Sequence, residues 1–178
     1  MNGSKRCVIK MIEKTLVLIK PDGVQRCLVG DVIKRFENVG LKMIGMKMVW
    51  IDKKFAEKHY TEDITKRRGQ KVRDMLLDLI TMGPVVAMVL EGINAIEVTR
   101  KLCGITEPFA AAPGTIRGDF AHVNYRYADT IVDQAIRNIV HASGNKKEAK
   151  EEISLWFKKD EIHSYETVHD FHILHKTK

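Results

Sequence analysis

The sequence predicts an α/β (α+β) sandwich, a small sheet covered by helices, and two patterns carry that prediction. Short continuous runs rich in branched apolar residues, at 15–19 and 85–90, have the length and composition of buried strands. Between them lie stretches whose apolar residues recur at helical spacing, so the order reads strand, helix, strand, helices, strand, helix, strand, helix. The chain has 178 residues, near the roughly 150 of one domain. No internal repeat or linker-like break divides it.

The first strand, 15–19, is closed by Pro21-Asp22-Gly23, a turn signal. Over 28–39, Leu28, Val32, Ile33 and Phe36 fall at helical spacing, and Gly40 stands where a C-terminal cap would. Residues 41–51 read as a long strand carrying Met43, Ile44, Met46, Met48, Val49 and Trp50. Asp52 is placed to cap a helix over 53–60. The polar, basic stretch 61–71 is a loop or an irregular helical start, and 72–82 is an amphipathic helix ended by Gly83-Pro84. Strand 85–90 and a short helix over 94–102 follow, then a long structured loop over 103–118. Residues 118–123 suggest a short strand, 128–136 is ambiguous, 137–140 is strand-like and 145–157 is a helix. The tail beyond carries His163, His169, His172 and His175, at no zinc spacing.

The composition, 44% hydrophobic and 30% charged with 4 Pro and 12 Gly, excludes collagenous, low-complexity and largely disordered chains. Three widely spaced cysteines, Cys7, Cys27 and Cys103, form no CxxC pair and argue for a reducing compartment. The N-terminal Lys5, Arg6 and Lys10 precede no apolar run of signal length, and no stretch is long enough to span a membrane. A soluble, cytoplasmic protein is the expectation. A net charge of +7 and a pI near 9.3 suit phosphate-bearing partners, from nucleotides to nucleic acid.

His141 is the strongest candidate for reaction. It follows the apolar Ile139-Val140, and small Ala142-Ser143-Gly144 leave its ring room. An imidazole of ordinary pKa, about 6.5, is substantially neutral at physiological pH and can form covalent intermediates. Glu152, on the following helix, could orient it. Lys20, at the carboxyl end of the first strand, suits a phosphate oxygen. Arg100, Thr106 and Arg117, in or beside the long loop, supply further phosphate donors. Each has an ordinary reading too: His141 as a satisfied core histidine, Glu152 as a surface partner of 146–150, Lys20 as a solvated turn lysine, Arg117 paired with Asp119. The cluster Lys66, Arg67, Arg68, Lys71 and Arg73 reads more readily as a solvated face than as a nucleic-acid patch, since no aromatic residues interleave it. No Walker loop or kinase-type Gly-rich loop is present.

Five segments in one order resemble the nucleoside diphosphate kinases: Glu13 through Arg26, centred on Lys20-Pro21-Asp22-Gly23; Gly83-Pro84-Val85-Val86-Ala87-Met88; Pro113-Gly114-Thr115-Ile116-Arg117-Gly118-Asp119-Phe120; Asn138-Ile139-Val140-His141-Ala142-Ser143; and Glu151-Glu152-Ile153-Ser154-Leu155-Trp156-Phe157. The resemblance spans 13–157, with 1–12 as an N-terminal extension and 158–178 as a tail on or beyond the domain. It implies a ferredoxin-like fold with a four-stranded antiparallel sheet. It also implies phosphate transfer between nucleoside tri- and diphosphates such as ATP, with Mg²⁺ bound alongside the nucleotide. By motif, His141 resembles the phosphate-accepting histidine, Glu152 its carboxylate neighbour and Ser143 the adjacent serine. Lys20, Tyr60, Arg100, Thr106, Arg117 and Asn138 match phosphate- and ribose-contacting positions, Lys20 and Tyr60 being counted with the catalytic set.

Three departures stand out. Val72, counting back from Gly83-Pro84, takes the place of the usual base-stacking phenylalanine, and extra residues lie between Tyr60 and Gln70. The segment 121–136 and the tail are longer than usual and resemble the archaeal type. Gly144 replaces the usual aspartate after the His-Ala-Ser motif. The expected activity is a ping-pong transfer of the γ-phosphate through His141, with no metal held by the chain itself. The rival is a nucleotide- or nucleic-acid-binding module of the same fold without efficient transfer. Relatives are usually hexamers or tetramers, so a homo-oligomer is expected, without a membrane partner.

Overall fold

The computed structural model describes residues 11–172. Lys5, Arg6, Cys7, Lys10 and His175 lie outside the described residues. Four strands, β1 (Ile12–Ile19), β2 (Lys42–Val49), β3 (Val85–Ile93) and β4 (Val140–Ala142), form one antiparallel sheet in the order β2-β3-β1-β4. This is the ferredoxin-like arrangement. The helices are α1 (Pro21–Gln25), α2 (Val29–Glu37), α3 (Lys53–His59), α4 (Glu62–Arg68), α5 (Gln70–Thr81), α6 (Ala95–Cys103), α7 (Ile116–Phe120), α8 (Tyr125–Tyr127), α9 (Lys146–Trp156) and α10 (Val168–His172).

The apolar run at 16–19 is continuous because the sheet is covered on both faces. Leu16 and Leu18 point into one cluster with Leu77, Ile80 and Trp156 from α5 and α9. Val17 and Ile19 point into another with Val32, Phe36 and Ile116 from α2 and α7. All four are fully buried, as side chains alternating across a doubly covered strand must be. Asp52 caps α3 as expected, accepting from Phe55 N at 2.8 Å, and Asn145 caps α9 through Glu148 N.

Several expectations are corrected. Of the suggested strand at 118–123, residues 118–120 belong instead to helix α7, because the Thr115 hydroxyl accepts from Gly118 N at 3.1 Å and caps a turn there, and 121–123 are irregular. The strand-like 137–140 contributes only Val140, since Ile139 has φ +71° and its N–H is taken by Asp22 Oδ2 at 2.9 Å. A strand cannot continue through that backbone, so β4 begins one residue later and reaches Ala142. Pro21-Asp22-Gly23 opens the short helix α1 rather than a simple turn. The stretch 61–71 forms α4, then breaks at Gly69 with φ +90° before α5 starts at Gln70. The ambiguous 128–136 begins with a π-helical turn over Ala128–Val132.

Beyond α9 the chain runs back along β2. His163 N donates to Ile44 O at 2.7 Å and the Tyr165 hydroxyl to Met43 O at 2.5 Å. Lys47 binds Glu161 and Lys42 binds Asp170. Gly45 permits this approach, for a Cβ there would lie 3.0 Å from Glu161 O. Among the described residues, no helix is long and apolar enough to cross a membrane.

Gly118 lies in α7, where a Cβ would run into the carbonyl oxygen of Ala112. Gly118→Ala is therefore expected to lower unfolding free energy by about 1–3 kcal/mol, read as a reduced urea midpoint at unchanged slope.

Candidate active site

The site gathers where the carboxyl end of β1, the start of β4 and α9 meet. Lys20 follows β1 directly, and its backbone N–H donates to Ile139 O at 2.8 Å. Its side chain is buried, and Nζ donates to Asn138 Oδ1. Burial pushes the Lys20 pKa down to about 8, against the opposing pull of Asp22 and with a smaller push from Arg117. Asn138 passes the constraint on, its Nδ2 donating to Thr106 O at 2.7 Å. One amide therefore fixes both Lys20 and the segment after α6.

Arg117 does not pair with Asp119. Asp119 binds Arg35 and accepts from Gly114 N at 2.7 Å. The buried Arg117 guanidinium donates to Gly104 O at 2.7 Å, Val140 O at 2.8 Å and Asn138 O at 3.3 Å. Burial lowers its pKa from the ordinary value, yet a guanidinium stays protonated at any physiological pH. Its bonds to the protein thus neutralise none of its charge, since no carboxylate is ion-paired with it among the described residues. Arg100, at the end of α6, and Thr106 line the same cleft.

His141 sits opposite Leu18 in the sheet, and its side chain keeps 23% of its exposure. Nε2 and Glu152 Oε1 are 2.8 Å apart. The other carboxylate oxygen accepts from the Ser143 hydroxyl at 2.5 Å, and Ser143 Oγ accepts in turn from Leu16 N at 3.3 Å. Glu152 is thus no surface partner of the α9 lysines. Burial raises its pKa, but the charge and hydrogen bond of His141, the nearby His59 and the Ser143 hydroxyl outweigh that and hold it below the ordinary carboxylate value. An ionised carboxylate can only accept, so the imidazole proton is on Nε2 and the lone pair on Nδ1.

His59, unremarked in the sequence, packs its ring edge-on to His141 with centroids 4.7 Å apart. Its signal was positional: it closes an Asp52-capped helix immediately before Tyr60. Burial, then the proximity of His141, push its pKa down to about 3 against the pull of Glu152. The neutral ring accepts from Trp156 Nε1 at 3.3 Å through Nδ1, and Nε2 has no hydrogen-bond partner among the described residues. Tyr60 is buried beside it, and burial pushes its hydroxyl well above the usual phenol value, so it stays protonated.

These groups border an open cleft of about 1050 Å³. Lys20, Tyr60, Arg100, Thr106, Arg117, Asn138, His141 and Glu152 all line it. Ser143 is fully buried behind Glu152, and Val72 lies outside the lining, whereas Leu76, one turn further along α5, is inside. Among the described residues, His59, His141 and Glu152 form the group able to gather on a metal. That nitrogen-rich set does not suit Mg²⁺, which requires an octahedron of oxygens.

The sequence model of the family described as nucleoside diphosphate kinase matches residues 13–162. The chain belongs to the nucleoside diphosphate kinase family. It is 48% identical over 156 residues to the nucleoside diphosphate kinase of Borreliella burgdorferi, covering 87% of this chain and 93% of that one. It is 51% identical over 154 residues to that of Pyrococcus furiosus, covering 86% and 88%. Among solved structures, a transition-state mimic of the nucleoside diphosphate kinase from Borrelia burgdorferi, with vanadate and ADP bound, superposes at TM-score 0.89 with 46% identity, covering 92% of this chain and 97% of that one. A halophilic nucleoside diphosphate kinase from Halobacterium salinarum in complex with CDP gives 0.75 with 39% identity, covering 89% and 95%.

His59 should also leave a mark on stability. Its folded pKa, about 3, lies below the ordinary 6.5, so the unfolded chain binds the extra proton between these values. Stability is full above pH 6.5 and is lost as pH falls toward 3. At pH 5 the loss from this group is about 2 kcal/mol relative to pH 7, and His59→Gln is expected to flatten that part of the profile in urea unfolding.

Proposed function

We propose that the protein transfers the γ-phosphoryl group of a nucleoside triphosphate to a nucleoside diphosphate through a phosphohistidine on His141. The observation that carries this reading is the fixing of Nε2 by Glu152, which leaves Nδ1 as the nucleophile at a cleft rich in cations. The Nδ1 lone pair forms a P–N bond to the γ-phosphorus as the bond from that phosphorus to the bridging oxygen breaks, and the diphosphate leaves with the electron pair. A second diphosphate enters, its terminal oxygen attacks the same phosphorus, and the neutral imidazole is restored.

The chain's own residues do three things. As Nδ1 gives up its lone pair the ring becomes cationic, and Glu152 offsets that charge through the Nε2–H bond, held in orientation by Ser143. Lys20, Arg100 and Arg117 offset negative charge on the phosphates, with Thr106 as a neutral donor beside them. Asn138 keeps Lys20 aimed, and His59 packs edge-on against the ring with Tyr60 behind it. Mg²⁺ belongs to the substrate, carried on the phosphate oxygens and water. A binding module without transfer is not favoured, because it has no use for a ring nitrogen oriented by a carboxylate. We place the enzyme in the cytoplasm, in keeping with the free thiols of Cys27 and Cys103, and as a homo-oligomer, hexamer or tetramer. The exposed Met46, Met48 and Trp50 on and just beyond β2 favour self-association.

Incubation with γ-labelled ATP is expected to load an acid-labile label that maps to His141 and is absent from His141→Ala; an unlabelled wild type would overturn the reading. Glu152→Gln, which keeps the shape and removes the charge, is expected to lower kcat roughly 10²-fold in ATP-to-GDP exchange with KM little changed.

A further inference from the structure

Behind the nucleophile, His59 has bonding capacity that phosphate transfer does not use. Its side chain is only 1% exposed, yet its two nitrogens share a single hydrogen bond among the described residues, accepted by Nδ1 from Trp156 at 3.3 Å. That contact is long. Burial keeps the ring neutral at physiological pH, so the Nδ1 lone pair is always present. Nδ1 lies 3.8 Å from Glu152 Oε1, and His141 Nε2 lies 2.8 Å from the same oxygen. One nitrogen of each ring and one carboxylate oxygen are all within 4.8 Å of one another. A tetrahedral zinc centre sets its donor atoms roughly 3.4 Å apart, a spacing those two distances bracket. Two histidines and a glutamate with a fourth position open are the donors of hydrolytic zinc sites. Here the open position faces the cleft, where His141 and Glu152 keep 23% and 15% of their side-chain exposure and leave an ion a way in. Ser143 already holds the other carboxylate oxygen at 2.5 Å, as an outer partner of a metal ligand does.

We propose that His59, His141 and Glu152 together bind a borderline divalent metal ion of the Zn²⁺ class, and that this ion reversibly switches the nucleophile off. The switching rests on the reading of His141 Nδ1 as the attacking atom; the binding does not. A neutral imidazole carries one proton. Metal on His141 Nε2 sends that proton to Nδ1 through water, with none released overall, and the lone pair that attacks phosphorus becomes an N–H bond. Glu152, now a metal ligand, no longer offsets positive charge on the ring. His59 gives its Nδ1 lone pair to the ion in place of the long contact with Trp156 and keeps its own proton on Nε2. Phosphate on His141 opposes the metal in turn, because a ring already substituted at Nδ1 has no second nitrogen to take the displaced proton.

The test titrates the nucleotide-free full chain with Co²⁺, a coloured stand-in for Zn²⁺ whose visible spectrum reports coordination geometry. One equivalent is expected to give the spectrum of a four-coordinate site, and Zn²⁺ to displace it. His59→Gln is expected to weaken the site roughly 10²-fold or more, and prior loading of phosphate from ATP to weaken it roughly 10-fold or more in the unsubstituted chain. In a second arm a metal buffer fixes free Zn²⁺ at one hundred times its half-saturating level beside Mg²⁺ and γ-labelled ATP. Loading of His141 should then slow roughly 10²-fold in the wild type, and the ratio of rates with and without Zn²⁺ should stay near one in His59→Gln. A six-coordinate spectrum, or an affinity unchanged in His59→Gln, would place the ion on exposed histidines such as His163, His169 and His172. Equal slowing of both proteins would place it on the nucleotide, and undiminished Co²⁺ binding after phosphate loading would remove His141 from the site; each of these results overturns the proposal. A wild type that takes no label without Zn²⁺ sinks the phosphotransfer reading instead, and the Co²⁺ titration of His59→Gln still decides the metal site.

Discussion

The hydrogen bond between His141 Nε2 and Glu152 governs the chemistry of the whole cleft. An imidazole alone offers two nitrogens in exchange, and only one can lead at a time. A carboxylate 2.8 Å from Nε2 settles which, because it can accept a proton but has none to give. The same carboxylate must itself be kept from turning, which explains the chain of contacts behind it: Ser143 to Glu152, and the β1 backbone at Leu16 to Ser143. The orientation of one ring nitrogen is thus anchored in the central strand of the sheet.

The surrounding cations are held by similar means, at some cost. Lys20 and Arg117 are both buried, and their ammonium and guanidinium groups are met mainly by amide and carbonyl oxygens. Ion-pairing them internally would stabilise the empty protein but leave less charge for a polyanionic ligand. Asp22 stands close enough to offset part of the fall in the Lys20 pKa, yet its Oδ2 is committed to Ile139 N and its buried Oδ1 has no hydrogen-bond partner among the described residues. The unusual backbone of Ile139 lets Asn138 turn toward Lys20 and Thr106 while Val140 enters the sheet. Substituting any one member of this set disturbs the others, so double-mutant cycles here would depart from additivity.

The core of the fold was legible because apolar runs and helical periods are local signals. The run at 15–19 reads as a buried strand, and Asp52 sits where a helix cap would. What escaped were features decided by distant partners. A Thr115 cap drew 118–120 into a helix, and the hydrogen bond that Ile139 N donates to Asp22, over a hundred positions away, ended the strand reading at Ile139. The same holds in the site. The motifs carrying His141, Lys20 and Arg117 were readable, whereas His59 gains its place only when α3 meets α9. The Arg117–Asp119 pairing suggested by adjacency fails because Arg35, far along the chain, takes the aspartate.

The segment folded back over the first half of β2 has a consequence for assembly. An outermost strand with every amide unpaired is a template onto which further chains can stack without limit. Here the carbonyls of Met43 and Ile44 are already occupied by Tyr165 and His163, while Met46 and Met48 further along the strand are exposed. Residues 163–165 therefore shield the first part of that edge from edge-to-edge pairing.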